Sequence, residues 1–461
     1  MRKVRRLLFA GYAIAVGIAV AALSGGRAPA QLIVEDNARA SALAAAYNAS
    51  GAQLFDHLAK SPGNIVFSPY SIGTAMAMAL AGARGETAAE MAKVLMHGLT
   101  DAEIDAANAE VLAILAGYDH GGDPWICPAG MTVKDHQCEA QPLGDKRLCG
   151  HEMRLEGDRC VGNASPPPFA KIATANALVL SRRGELIPER YGELLRKNYA
   201  ADIFGSAGIA DINRWVARKT DGKIATILDR LDSNTAAVLL NAVYFKARWE
   251  TVFEPKDTRN EAFNLARSRT VEVPLMNLTS DFALVPRRGY RAIRLPYAAA
   301  ALGMVVVLPD EVEGLGEVAR RLDAKETTEL FAALRDPQAL KEVALTLPRF
   351  RASYAANLVG PFQEAGMKMA FDSEKADFSG MTDQPPLPGS LYIDQVVHRA
   401  VIEVAEESTE AAAATAVAIT ARSLAKAVKP ETFRVDRPFL FYVVDEATGA
   451  ILFQGRITDP R

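Results

Sequence analysis

Apolar positions along this chain fall into two rhythms, and the switching between them predicts its elements. Residues 38–60 repeat at helical spacing, 64–67 form a short apolar run, and 68–82 carry small and apolar residues almost without a break. That last stretch opens on Ser68 and Pro69, where the missing proline N–H costs nothing in the first turn of a helix. Residues 86–95 and 101–115 read as two more helices, the second acidic through Asp101, Glu103, Asp105 and Glu110. Farther on, 172–180 and 236–246 read as buried strands with a helix over 209–219 between them, and 292–308 as paired strands turning at 298–301. Strands and helices interleave without a regular βαβ rhythm, and no G-x-G-x-x-G, G-x-x-x-x-G-K or G-x-S-x-G occurs.

One stretch belongs to neither rhythm alone. Residues 406–423, Glu-Glu-Ser-Thr-Glu-Ala-Ala-Ala-Ala-Thr-Ala-Val-Ala-Ile-Thr-Ala-Arg-Ser, are helical by local propensity, since alanine favours helix and acidic groups crowd the N-terminal end. A globular helix needs an apolar stripe to bury, and seven alanines with three threonines supply little. At period two, one face carries Thr409, Ala411, Ala413, Thr415, Val417, Ile419 and Ala421, all small or apolar. The opposite face runs from Glu410 to Arg422. The segment therefore reads as a strand able to enter a sheet.

Composition changes the setting. Met1-Arg-Lys-Val-Arg-Arg6, an apolar run over 7–23 and Ala28-Pro-Ala30 have the layout of a secretory signal, with cleavage expected after Ala30; the alternative is an uncleaved anchor. Residues 1–30 hold five basic groups and no acid, which leaves 47 basic against 55 acidic residues, net −8, in the mature chain. That excess argues against nucleic acid as a partner. Cys127, Cys138, Cys149 and Cys160 lie at an even spacing of eleven inside one polar stretch, and the stretch repeats at 22 residues: Cys127, Met131 and Cys138 match Cys149, Met153 and Cys160. An inserted module of two similar hairpins over 118–168, stiffened at its end by Pro166-Pro-Pro168, is expected. In an exported chain so small a unit calls for two disulfides, most simply 127–138 and 149–160 among three pairings. His120, His136 and His151 lie nearby, but without Cys-x2-Cys spacing no metal is assigned.

Five further stretches carry a resemblance. Asn64-Ile-Val-Phe-Ser-Pro-Tyr-Ser71, Gly82-Ala-Arg-Gly-Glu-Thr-Ala-Ala-Glu-Met91, Leu240-Asn-Ala-Val-Tyr-Phe-Lys-Ala-Arg-Trp249, Phe433-Arg-Val-Asp-Arg-Pro-Phe-Leu-Phe-Tyr-Val443 and Gly455-Arg456 follow one another in the order of the serpins. Together with the 406–423 segment, the chain resembles this family of protease inhibitors over nearly all of 38–460, interrupted by the cysteine module. The resemblance implies one α+β domain over 31–461, with three β-sheets, eight or nine helices and an exposed reactive-centre loop over 406–430. It assigns Glu407, Ser408, Thr409, Glu410, Ala411, Ala412, Ala413, Ala414 and Thr415 to the hinge, and Trp249 with Glu406 to the breach where the loop enters. Ser68, Ser71, Asn241 and His398 match the shutter beneath the main sheet.

Counting as the family does from Glu406 puts the scissile bond between Arg422 and Ser423, with Lys426 as the competing bait. The implied chemistry belongs to the target: a protease attacks the Arg422 carbonyl, and loop insertion distorts the acyl-enzyme before hydrolysis finishes. Arginine fits a deep pocket with an acid at its base, so trypsin-like serine proteases are the expected targets and arginine-directed cysteine proteases the second choice. No catalytic residue, cofactor or heparin partner is implied, and a monomer is expected. The alternative is a non-inhibitory serpin fold that binds or chaperones. Small hinge residues favour inhibition, while Ser408, where the family has glycine, counts against it because serine resists positive φ. Ser68 with His398 has the residue types of a hydrolase pair, but Ser68 precedes proline at a helix start and no oxyanion motif accompanies it.

Overall fold

The computed structural model describes residues 37–461 apart from 119–131, 135–136, 141–153, 157–158, 164–169, 181–186, 206, 232–235, 299–300, 383–390 and 407–428. The leader and its cleavage site lie outside the described residues. Nine α-helices are present among them, and no described helix is long and apolar enough to cross a membrane.

A five-stranded sheet dominates one side, in the spatial order Phe350–Asn357, Ile393–Val404, Ala237–Ala247, Ala170–Leu180, Ala201–Phe204. Its central strand Ala237–Ala247 is buried along nearly its whole length because both faces are covered, which is why the sequence there is one apolar run. Alternation still sorts the side chains. Leu239, Val243 and Phe245 join the large inner core, whereas Val238, Leu240, Ala242 and Tyr244 face a second cluster built with Ile212, Trp215 and Val216 of helix Ile209–Lys219. Helix Pro69–Gly82 lies beneath the inner face and is buried all round, so its sequence lacks a polar stripe.

The long strands pair antiparallel except at one joint. Ile393–Val404 runs parallel to Ala237–Ala247, with His398 opposite Asn241 and Val401 opposite Tyr244. This joint is called the seam below.

A nine-stranded sheet forms the other side. Arg269–Arg287, 19 residues long, pairs with Arg259–Ala266, Tyr290–Pro296 and Leu340–Pro348, and so joins into one ladder what the resemblance divides into two sheets. Its far end packs Phe439–Asp445, Ile451–Ile457 and Ile65–Phe67 edge to edge. There Gly455 is required by close approach, since a Cβ would lie 2.4 Å from the Ile65 carbonyl oxygen.

The third sheet belongs to the cysteine module. Thr132–Lys134 pairs with Gln137–Ala140, Arg154–Glu156 with Arg159–Asn163, and the two hairpins join through Gln137–Ala140 and Arg159–Asn163. Matching strands begin at 132 and 154 and at 137 and 159, so the 22-residue sequence repeat is a repeat of structure. The module leaves and re-enters at one point, where Ala170 N donates to Tyr118 O at 3.2 Å. Tyr118 is held in turn by its hydroxyl, which donates at 2.7 Å to buried Asp445.

Candidate functional site

Polar groups are rare beneath the five-stranded sheet, and those present gather on the seam. Asn241 is the hub. Its Nδ2 lies 2.5 Å from Ser71 Oγ, 3.0 Å from Ser71 O and 2.6 Å from Asn176 Oδ1, so two protons serve three acceptors. Its Oδ1 is left to accept, which makes His398 Nδ1 the donor in their 2.6 Å contact. The imidazole is then neutral, with Nε2 unprotonated, buried and without a hydrogen-bond partner. Burial holds the His398 pKa down at about 3. One side-chain chain of hydrogen bonds therefore runs from the helix through Ser71 and Asn241 to His398, crossing the seam at its middle.

Ser68 plays a different local part. Its hydroxyl accepts from Ser71 N at 3.0 Å and caps helix Pro69–Gly82, which fixes the turn that presents Ser71. The structure thus unites three of the four residues assigned to the shutter in one network and uses the fourth to position it. Asn176 was not anticipated. Its signal was present in the sequence as a single amide inside the apolar run of strand Ala170–Leu180.

A second cluster closes the end of the seam. Trp249 stacks on Tyr297, ring centroids 4.4 Å apart, and its indole N–H donates to Ala405 O at 2.9 Å. Phe253 N donates to Glu406 O at 3.3 Å. Glu406, 7% exposed, accepts from Thr258 Oγ1 at 2.7 Å and from Arg349 Nη1 at 3.5 Å. Arg349 is half exposed, so that ion pair contributes at most about 1 kcal/mol. Thr258 and Arg349 lie 148 and 57 residues from Glu406 in unremarkable polar stretches, so only the fold brings them to it. The anticipated pair, Trp249 and Glu406, does sit at one end of the seam.

The geometry of the seam has a chemical consequence. Residues after Glu406 continue from the end of strand Ile393–Val404. A segment that turned back there would run antiparallel to that strand and also to Ala237–Ala247, because those two are parallel. Placed between them it replaces one parallel pairing by two antiparallel ones, the better hydrogen-bonded arrangement. Hinge residues Glu407 to Thr415 and the bond Arg422–Ser423 lie outside the described residues, as do Cys127 and Cys149. Of the cysteines, Cys160 has a described side chain; it is buried, and no described cysteine is free. No cluster of three or more metal-ligating side chains occurs among the described residues.

Comparison with known proteins agrees with this architecture. The family described as Serpin (serine protease inhibitor) matches residues 45–127 and 156–460, so the match is interrupted inside the cysteine module. An uncharacterized serpin-like protein of Thermococcus kodakarensis is 34% identical over 423 residues, 90% of this chain and 85% of the relative. The leukocyte elastase inhibitor of Bos taurus is 32% identical over 409 residues, 86% of this chain and 93% of that protein. Among solved structures, the thermophilic serpin tengpin in its native state superposes with a TM-score of 0.69 at 25% identity, covering 91% of this chain and 94% of that one. The chain belongs to the serpin family, and its relatives include protease inhibitors.

Proposed function

We propose that this protein is an exported suicide-substrate inhibitor of trypsin-like serine proteases. The target's serine attacks the Arg422 carbonyl, the Arg422–Ser423 peptide bond breaks, Ser423 becomes a new N-terminus, and the protease stays joined to Arg422 through an ester. The freed segment from Glu407 to Ala421 then enters the seam. About 15 residues at ~3.3 Å each carry the attached enzyme roughly 50 Å, far enough to distort its active site. Strand addition to a sheet drives the step, and serpin loop insertion is itself a standing example of that mode.

The observation that carries this reading is the parallel seam, followed directly in sequence by a run of residues small enough to pass between its strands. Arginine at 422 supports a trypsin-like target, and Lys426 remains the rival bait. The layout of residues 1–30 supports export, and export supports disulfides in the module. Cys138 faces Gly162 and Cys160 faces Ala140, a diagonal relation too long for a 138–160 bridge, which leaves 127–138 with 149–160, the simplest pairing, and 127–160 with 138–149.

Mixing the mature protein with trypsin and running a denaturing gel tests the reading. An SDS-stable adduct is expected, with a released C-terminal fragment beginning at Ser423. Arg422→Ala should abolish the adduct, and cleavage without any adduct would show a substrate rather than an inhibitor.

A further inference from the structure

Helix Ile209–Lys219 and the strap that follows it, residues 220–231, lie across the outer face of the five-stranded sheet and straddle the seam. Their apolar contacts fall mostly on one side of it. Ile212, Trp215, Val216, Ile224, Ile227 and Leu228 pack on strands Ala170–Leu180 and Ala237–Ala247, while Ile393–Val404 contributes Val401, with Val397 at the margin. Polar ties on that same near side hold the unit in place: Trp215 Nε1 donates to Asp202 at 2.8 Å, and Lys171 pairs with Asp221 at 2.6 Å.

Two ties reach the far side. Lys223 Nζ binds both carboxylate oxygens of Glu403 at 3.0 Å, and Arg399 donates to the Thr226 carbonyl and, at 2.9 Å, to its hydroxyl. Glu403 is the more heavily used group. Besides Lys223 it accepts from Arg351 Nε at 3.1 Å on the neighbouring edge strand and from Tyr244 Oη at 3.5 Å on the other side of the seam. Lys223 also sits over the Tyr244 ring, 5.6 Å from its centroid. Burial draws the Glu403 carboxyl upward, but Lys223 and Arg351 outweigh it and leave it below the usual carboxylate range.

A strand entering the seam must widen it by about 4.8 Å, one strand spacing. The Tyr244–Glu403 contact cannot survive that separation. Near-side packing lets the helix and strap move with Ala237–Ala247, so Lys223 and Thr226 move away from Glu403 and Arg399 together. We propose that the far-side ties, Lys223–Glu403 with Arg399–Thr226, form a latch that sets how fast the sheet admits a strand. The latch rests on the inhibitory reading for its purpose, but it acts on the sheet and is measurable without a protease.

The test is uptake of a synthetic acetylated peptide copying residues 409–421 by the intact protein, followed by native electrophoresis and by the rise in unfolding temperature that an added strand gives. Glu403→Gln should take up the peptide roughly three- to tenfold faster than the unaltered protein, as should Lys223→Met, with no further gain in the double variant. Glu329→Gln, which removes an equally charged group from an exposed helix, should leave the rate unchanged. Unchanged or slower uptake by both latch variants, each still folded by circular dichroism, overturns the latch; so does equal acceleration by Glu329→Gln. The trypsin adduct is read separately: peptide uptake without an adduct sinks the inhibitory reading and leaves the latch standing.

Discussion

The two large sheets of this serpin solve opposite problems with similar residues. At the far end of the nine-stranded sheet, Phe439–Asp445, Ile451–Ile457 and Ile65–Phe67 close edge to edge around Gly455, with buried aromatic and branched side chains and no strand-length gap. In the five-stranded sheet strand Ala237–Ala247 is equally buried and its partner Ile393–Val404 only partly so, and their joint is parallel, crossed by hydrogen bonds of Asn241 and His398, and lashed from outside by Lys223 and Arg399. Apolar burial resists parting everywhere by a similar amount per area, whereas a hydrogen bond can be exchanged for another. Readiness to open is thus placed in one joint by giving it polar fastenings and a pairing that a new strand improves.

Variants can break that contrast from either side. The largest effect is expected at the closed sheet: Gly455→Ala sets a Cβ 2.4 Å from the Ile65 carbonyl and 2.6 Å from Phe441, and should destabilise the protein by roughly 3 kcal/mol or more. Its surviving folded fraction should still form the trypsin adduct at the normal rate, and a slowed rate would show that the two sheets are coupled. Asn241→Ala removes the hub and leaves His398 and Ser71 without it, at a cost of about 3 kcal/mol in denaturant unfolding. Unlike Gly455→Ala it should also hasten peptide uptake; a loss of stability without that acceleration would mean that the network braces the core and not the seam.

The most graded effect is that of pH. His398 has a folded pKa near 3 against an ordinary 6.5, so on acidification the unfolded chain takes up a proton that the folded chain refuses. Its contribution is fully present above pH 6.5 and is lost progressively as pH falls from 6.5 toward 3. His97, half-buried beside Tyr47 and held down to about 4 by desolvation, acts in the same direction. His398→Asn should flatten the pH dependence of the unfolding midpoint between pH 6 and 4, and an unaltered slope would place the acid sensitivity elsewhere.

Much of this was legible before the fold. Helices expected over 38–60, 86–95 and 101–115 are observed as Ala38–Leu58, Gly85–Val94 and Asp101–Ala116, and the strands expected over 172–180 and 236–246 as Ala170–Leu180 and Ala237–Ala247, because long periodic runs carry their own signal. The hairpin expected over 292–308 forms from Tyr290–Pro296 and Leu302–Pro309. Strands with mixed polar faces, such as Arg259–Ala266 and Phe350–Asn357, gave no comparable pattern. The site divided in the same way. Trp249 and Asn241 stood in a motif and the resemblance assigned His398, whereas Arg349, Thr258 and Glu403 gain meaning from partners 52 to 180 residues away in sequence. No local rule marks them, since a charge on a strand is ordinarily a solvated one.

The hydrogen bond from Ala170 N to Tyr118 O draws the two ends of the cysteine module together, which makes it a side branch of the chain rather than a link in it. Its root lies beside Ala247, which faces Ala170 across the sheet two residues before Trp249, at the same pole from which the 407–428 segment departs. For anyone wishing to hang a fluorescent or affinity domain on this protein, that root is a ready socket, because both wires end a hydrogen bond apart.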